Sequence, residues 1–240
     1  MPSNRRDFNR NGLQAIAALL VLRIGSYSNA ALALSLDSLT NADAASGLRT
    51  ALARGTASAV DSLGKTDGFL ENPLVHIPLP GYMENASKMM RTLGQGSRID
   101  DLVTTINRAA EQAVPMAKSL LVKTVQSISV TDAKNILSGG DGAATKFFAE
   151  KTRAPLGVQF LPIVSKAIEK VGLAEKYNSV ASKLQTYGLV KPEEANIQQY
   201  VTGKALDGLY VMIGEEEKKI RQDPVGTGSA ILSKVFGSLK

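Results

Sequence analysis

The chain has 240 residues, of which 44% are hydrophobic and 21% are charged, a composition that predicts a folded protein and excludes an intrinsically disordered one. It has no cysteine and a single histidine, His76, which excludes disulfide frameworks, cysteine nucleophiles and histidine-rich metal centres. The absence of tryptophan and an aromatic fraction of 5% leave few side chains on which nucleic-acid bases could stack.

Residues 1–33 carry the pattern of an export signal. They read NRRDF from residue 4, continue as an apolar run from Leu13 to Ile24, and end in Ala31-Leu32-Ala33, a small-x-small pattern that a signal peptidase accepts. This pattern resembles a twin-arginine signal, with Arg5 and Arg6 as the paired arginines. The resemblance implies export of the folded protein into a bacterial periplasm or a thylakoid lumen.

Two features of this signal bear on the rest of the chain. Arg23 interrupts the apolar run, so an uncleaved membrane anchor is the alternative to cleavage after Ala33. Residues 1–33 hold four of the 28 basic and one of the 22 acidic residues, which leaves 24 basic against 21 acidic residues and a net charge of +3 in residues 34–240. Because this excess is small, no nucleic-acid partner is predicted.

Apolar residues recur at helical spacing along most of residues 34–240. A first helix is predicted from Ala42 to Leu63, and a long loop with three prolines follows from Gly64 to Gly81. Further helices are predicted over residues 82–93, from 99 with a kink or division at Pro115, over 130–137 after a capping box at Ser129, from 143 to 172 in a run punctuated by Pro155 and Pro162, and over 173–187, 197–221 and 231–236.

The pattern supports one fold class. No segment shows the alternation of a β-strand, and no repeat of fixed period is present. We therefore predict an all-α protein in which residues 34–240 form a single compact bundle of about eight to nine helices with one long Pro-rich loop.

The helix predicted over residues 197–221 is the element around which the rest is expected to pack. Its first half is dense in apolar residues on most sides, which predicts burial and carries Lys204 and Asp207 through the core. Its second half reads EEEKK from Glu215, and the spacings of Glu215 with Lys219 and of Glu217 with Arg221 predict pairs across one helical turn. This half is predicted to be a solvated end.

Several motifs carry a resemblance to a known family. They are TDGF at residues 66–69, IPLP at 77–80, NRAAE at 107–111 and ALDGL at 205–209. In this order, and over about residues 34–240, they resemble the domain-of-unknown-function family 4197 of exported bacterial proteins. The resemblance implies a helical fold and an exported location, and it implies no activity because the family has no assigned reaction.

The NRAAE motif supplies the candidate polar cluster. Asn107, Arg108 and Glu111 share part of a helix that is otherwise lined with alanine, and Asp207 is expected to meet Glu111. One hypothesis is a buried site that binds a cation or small molecule, or that works as an acid and base pair. The other is structural, with Arg108 as the counterion of Glu111 or Asp207. No metal ion or cofactor is specified by either hypothesis.

A glycine-rich loop, Gly139-Gly140-Asp141-Gly142, precedes another predicted helix. Backbone amides at a helix N-terminus can bind an anion. The alternative is that Asp141 caps the helix and the glycines form the turn.

Two functions remain open from the sequence. The chain has no nucleophile motif such as Gly-x-Ser-x-Gly, which favours a non-catalytic, exported interaction protein: an accessory or assembly factor that docks on a protein or membrane complex. The alternative is a small-molecule or metal-binding protein, perhaps an enzyme, that uses the polar cluster. The candidate interaction surface comprises Phe69, Leu70, Val75, Ile77, Leu79, Glu215, Glu216, Lys218 and Arg221.

Overall fold

The fold is taken from a computed structural model, which describes residues 41–170 and 174–223. The predicted export signal and the predicted helix over residues 231–236 lie outside these residues. Within them the chain forms α-helices and short 3-10 turns and no β-strand, so the predicted all-α class is confirmed.

The described helices follow one another with short connections, apart from the Pro-rich loop. They are α1 (Asn41–Leu63), α2 (Glu84–Thr92), α3 (Gly96–Ala113), α4 (Ala117–Gln126), α5 (Val130–Ser138), α6 (Ala143–Glu169), α7 (Ala174–Thr186) and α8 (Ile197–Gln222). Turns of 3-10 helix occur at Gly81–Met83, Val114–Met116 and Pro192–Glu194. Of the helices in the described residues, none is long and apolar enough to cross a membrane.

Local signals in the sequence mark several helix boundaries correctly. Ser129 caps α5: its hydroxyl accepts from the Asp132 backbone N–H at 3.0 Å, and the Asp132 carboxylate accepts from the Ser129 N–H at 2.9 Å. Pro115 divides α3 from α4 by a 3-10 turn, because its ring cannot take part in the helical hydrogen-bond ladder. Helix α3 begins at Gly96, three residues before the predicted Ile99.

The helix α6 runs through both of its prolines, contrary to the predicted punctuation. Pro155 and Pro162 are seven residues apart and therefore lie on the same side of the helix, and both are exposed. Carbonyl groups that lose a helical partner on this side can bind water. A row of buried apolar or small residues at four-residue spacing also runs along the helix: Phe148, Thr152, Leu156, Phe160, Val164 and Ile168.

Helix α8 packs against α1, α3 and α6, as expected for the element that organises the core. Its buried residues include Val201, Leu209 and Ile213. Lys204 and Asp207 do not pass through the core, because their side chains are 45% and 48% exposed. The sequence-based placement of these two residues was wrong, since they lie on the outward side of a helix that is buried on its other sides.

The Pro-rich loop packs into the space between α3 and α8. Phe69, Val75 and Ile77 are buried in this space. The Phe69 ring lies directly on Gly208 of α8, where a β-carbon would stand 2.6 Å from the ring atom Cε1. Only glycine at position 208 leaves room for the ring, so a single position on α8 sets how closely the loop approaches.

Gly208→Ala is therefore expected to lower the free energy of unfolding by about 1–3 kcal/mol, because the added methyl group overlaps the Phe69 ring. Gly203→Ala on the same helix is the matched control, since no atom lies within 4 Å of its β-carbon position. This second change should stabilise the protein by about 0.5–1 kcal/mol through helix propensity. Urea denaturation of both variants measures the difference, and equal effects would contradict the close approach of Phe69.

Candidate functional site

The predicted polar cluster lies in the second half of α3, on the side that faces the Pro-rich loop. Ala109, Ala110 and Ala113 are fully buried, so small side chains line the same part of the helix. Asn107 and Glu111, one helical turn apart, are buried as well. Two polar side chains thus project from a helix surface that is otherwise apolar.

Glu111 binds the backbone of the loop. Its Oε1 atom accepts hydrogen bonds from the N–H groups of Phe69 at 3.0 Å and Leu70 at 3.2 Å. Its Oε2 atom accepts from Nη1 of Arg108 at 2.7 Å. Because the residue is only 4% exposed, these three donors replace the water that the carboxylate loses on burial.

Asn107 pairs with the loop at Ile77, eight residues after Phe69. Its Oδ1 atom accepts from the Ile77 N–H at 2.9 Å, and its Nδ2 atom donates to the Ile77 carbonyl at 2.9 Å. The same Nδ2 atom donates to the Val103 carbonyl at 2.8 Å. The side-chain amide thus satisfies both backbone groups of Ile77, as a neighbouring β-strand would.

Arg108 joins two carboxylates at the edge of the cluster. Besides Glu111, its guanidinium donates to Oδ1 of Asp67 at 2.7 Å. Hydrogen bonds to Glu111 and then to Asp67 raise the pKa of Arg108 above its usual value. Asp67 has a φ of 66°, in the left-handed region, and its ion pair with Arg108 helps to hold this turn.

Asp207 does not join the other three residues. It forms ion pairs with Arg153 of α6, at 2.6 Å from Nη2 to Oδ1, and with Lys204, at 3.9 Å from Nζ to Oδ2. The expected meeting of Asp207 with Glu111 is therefore corrected: one is half exposed on the α6 side of α8, and the other is buried against the loop. Nothing in the sequence identified Arg153 as the partner, because it lies 54 positions away.

The cluster is bonded to the protein itself. Both oxygens of Glu111 and both polar atoms of the Asn107 amide have partners in the chain. Among the described residues, no group of three or more histidine, cysteine, aspartate or glutamate side chains is arranged to hold a metal ion. The geometry therefore matches the structural hypothesis for Asn107, Arg108 and Glu111, which hold the loop on α3.

The apolar loop residues of the candidate interaction surface are mostly inaccessible. Phe69, Val75 and Ile77 are buried, while Leu70 and Leu79 are half-buried. In this conformation the first three cannot contact a partner, because they fill the space between α3 and α8. They pack onto the helices instead.

A family model described as a protein of unknown function (DUF4197) matches residues 38–237. The chain belongs to this family. No curated protein and no solved structure matches it. The matched range includes the loop, α3 and α8, so the Glu111 interactions belong to the DUF4197 domain. The role of Glu111 is inferred from its hydrogen bonds to the loop and to Arg108.

A second buried carboxylate in the DUF4197 domain was missed by sequence reasoning. Glu217, which is 5% exposed, accepts hydrogen bonds from the backbone N–H groups of Ala144 at 3.2 Å and Thr145 at 3.0 Å, and from the Thr145 hydroxyl at 2.8 Å. Arg221 donates to it from Nε at 3.1 Å and from Nη2 at 2.9 Å, which confirms the predicted i, i+4 pair. The end of α8 predicted to be solvated therefore caps α6 instead.

This arrangement also corrects the role of the glycine-rich loop. The N-cap of α6 is Gly142, with a φ of 80° and no side-chain hydrogen bond, whereas Asp141 is 77% exposed. Asp141 does not cap the helix. The anion at the N-terminus of α6 is the protein's own Glu217 carboxylate, so this end of the helix is already occupied.

The remaining charged residues of the candidate surface differ in accessibility. Lys218 is exposed and Glu215 is half-buried. Glu216 is 18% exposed and pairs with Lys219 at 2.8 Å, a cation that the sequence had paired with Glu215. The Arg221 side chain is 12% exposed and also donates to the Ile136 carbonyl at 3.0 Å, so its main contacts are internal.

Glu111→Gln is expected to lower the free energy of unfolding of the DUF4197 domain by about 2–4 kcal/mol, because the amide cannot accept from the two loop N–H groups and Arg108 together. Asp207→Asn is the matched control, and its exposed ion pairs predict a loss of no more than about 1 kcal/mol. Urea denaturation measures both changes. Limited proteolysis should show faster cleavage within residues 64–80 of the first variant alone, and unchanged stability of Glu111→Gln would contradict the structural role.

Proposed function

We propose that this DUF4197 protein is a non-catalytic helical interaction protein, exported into a periplasm or a thylakoid lumen, where it docks on a protein or membrane complex as an accessory or assembly factor. The NRRDF motif, the apolar run and the Ala31-Leu32-Ala33 site support export. The bonding of the polar cluster to the loop supports a structural rather than a catalytic use of its side chains.

The observation that carries the docking proposal is an exposed surface on α8. Val211 is 43% exposed in the middle of the helix. Asp207 and Glu215 lie one turn to either side of it, and Lys204 and Lys218 lie two turns to either side. An apolar side chain thus stands in a row of residues of both charges.

The tip of the Pro-rich loop extends this surface. The Asn72 amide lies 3.9 Å from the sulfur of Met212, next to Val211 in the chain. The same Asn72 side chain accepts from the N–H of Leu74, whose side chain is 60% exposed. We call Leu74, Val211 and the four flanking charged residues the α8 surface.

This composition suits a docking site. Exposed apolar groups supply most of the affinity at an interface, whereas charged residues around them set orientation and association rate. Because Lys204, Asp207 and Lys218 are exposed, their contribution should fall with added salt. The partner expected on this basis is a protein with complementary charge around an apolar contact.

Export is tested by the paired arginines. Replacing Arg5 and Arg6 together by lysine should leave most of the protein inside the cell, because a twin-arginine signal depends on both guanidinium groups. Arg10→Lys is the matched control and should be exported normally. Cell fractionation measures the distribution, and normal export of the double variant would contradict the twin-arginine route.

Docking is tested by the combined change of Leu74→Asp and Val211→Asp. Affinity purification of the tagged protein from native membranes should recover a partner with the wild type and lose it by about tenfold or more with this variant. Val122→Asp on α4 is the matched control, since Val122 is equally exposed at 40%. Recovery of the wild type without any partner, or equal recovery by all three proteins, would contradict docking through the α8 surface.

A further inference from the structure

A second feature of the molecule, apart from the α8 surface, is a cavity between α2, α3 and α7. Its volume is about 450 Å³, within the range of about 300–1,000 Å³ that is typical of small-molecule sites. Most of the lining is apolar, and its aliphatic and thioether side chains are Met83, Met90, Ile99, Leu102, Val180 and Leu184. Such a lining suits a hydrocarbon chain rather than a polar metabolite.

One polar group at this cavity is a buried tyrosine hydroxyl. Tyr82 lines the cavity, and its buried hydroxyl lies beside the hydroxyl of Tyr177, which donates to the Glu194 carbonyl at 2.7 Å. Burial raises the pKa of Tyr82 above its usual value, so the hydroxyl keeps its proton at neutral pH. This hydroxyl can donate its proton to an oxygen atom of a ligand.

A cation stands beside the same cavity. Arg98 lines it and is exposed to solvent. Among the described residues no carboxylate lies within ion-pair distance of Arg98. Arg91, in the last turn of α2, is by contrast paired with Asp100. A guanidinium group binds a carboxylate through two parallel hydrogen bonds, so Arg98 is suited to a ligand with an anionic end.

The apolar surface continues outside the cavity. Met89 on α2 and Leu93, which directly follows α2, are 62% and 68% exposed. Val180 on α7 is 56% exposed and also lines the cavity. Exposed apolar side chains of this kind are typical of the entrance to a site for an apolar ligand. The Arg98 cation, the apolar cavity and the apolar residues around it therefore favour an amphiphile with an anionic end as the ligand.

We propose that this cavity binds a single-chain amphiphile with an anionic head group, namely a fatty acid, whose carboxylate pairs with Arg98 and whose chain lies between α2, α3 and α7. The proposal is independent of docking through the α8 surface, because no residue is shared between the two. Either can fail while the other holds.

Isothermal titration calorimetry of the full chain with laurate tests this proposal. The wild type should bind one laurate molecule saturably. Arg98→Gln should weaken the binding of laurate by about tenfold and leave that of lauryl alcohol, which has the same chain without the charge, unchanged. Val180→Trp, which fills the cavity from its exposed rim, should weaken the binding of both ligands by about tenfold or more.

Two control variants distinguish binding at this cavity from nonspecific binding of an amphiphile elsewhere on the protein. Lys123→Gln removes an exposed cation on α4, and Val158→Trp adds the same ring at an exposed valine on α6, so both should bind laurate like the wild type. Thermal melting checks that every variant is folded. Absence of a saturable site in the wild type, or equal binding by Val180→Trp and Val158→Trp, would overturn the proposal; equal binding of laurate by Arg98→Gln would overturn the role of the anionic head group.

Discussion

The structure depends on the contact between the Glu111 carboxylate and the backbone of the Pro-rich loop. A segment that is neither helix nor strand leaves its N–H and C=O groups without regular partners, and this segment is partly buried. Glu111 and Asn107 supply those partners from α3. With its backbone held in this way, the loop presents the Phe69 ring to Gly208, and α3 and α8 are joined through it.

The same device occurs a second time in the described residues. Glu217, like Glu111, is a buried carboxylate that accepts two backbone N–H groups from another segment and a guanidinium group from an arginine one turn away on its own helix. Both arginines reach further, Arg108 to Asp67 and Arg221 to the Ile136 carbonyl. Because hydrogen bonds are directional, the two carboxylates set the position of α8 at its middle, through the loop, and near its end, through α6.

Features that depend on neighbouring residues could be predicted from the sequence. The capping box at Ser129, the division at Pro115 and the ion pair of Arg108 with Glu111 follow from spacings of three residues or from the geometry of one ring. The all-α class follows from the spacing of apolar residues along the chain. These signals are local, and the structure preserves them.

Features that depend on distant residues could not be predicted in this way. The run EEE at 215–217 does not indicate that its last residue is buried, since that depends on α6 lying across the end of α8. Asp207 looked like a core residue because its neighbours are apolar, and its real environment is set by Arg153. Pro155 and Pro162 looked like breaks, and the helix continues because both face outward, which is a property of packing rather than of the prolines.

Polar groups that already have partners within this domain differ from those that remain available to a ligand. A ligand at Glu111 would have to displace the loop backbone, and one at the N-terminus of α6 would have to displace Glu217. At the cavity, in contrast, the Arg98 guanidinium has no carboxylate partner to lose among the described residues. The cavity also lies among peripheral helices, since α2 packs chiefly on α3 and α7 chiefly on α8. A ligand between them would leave both carboxylate interactions intact, which is why binding is expected there rather than in the polar cluster that the sequence made conspicuous.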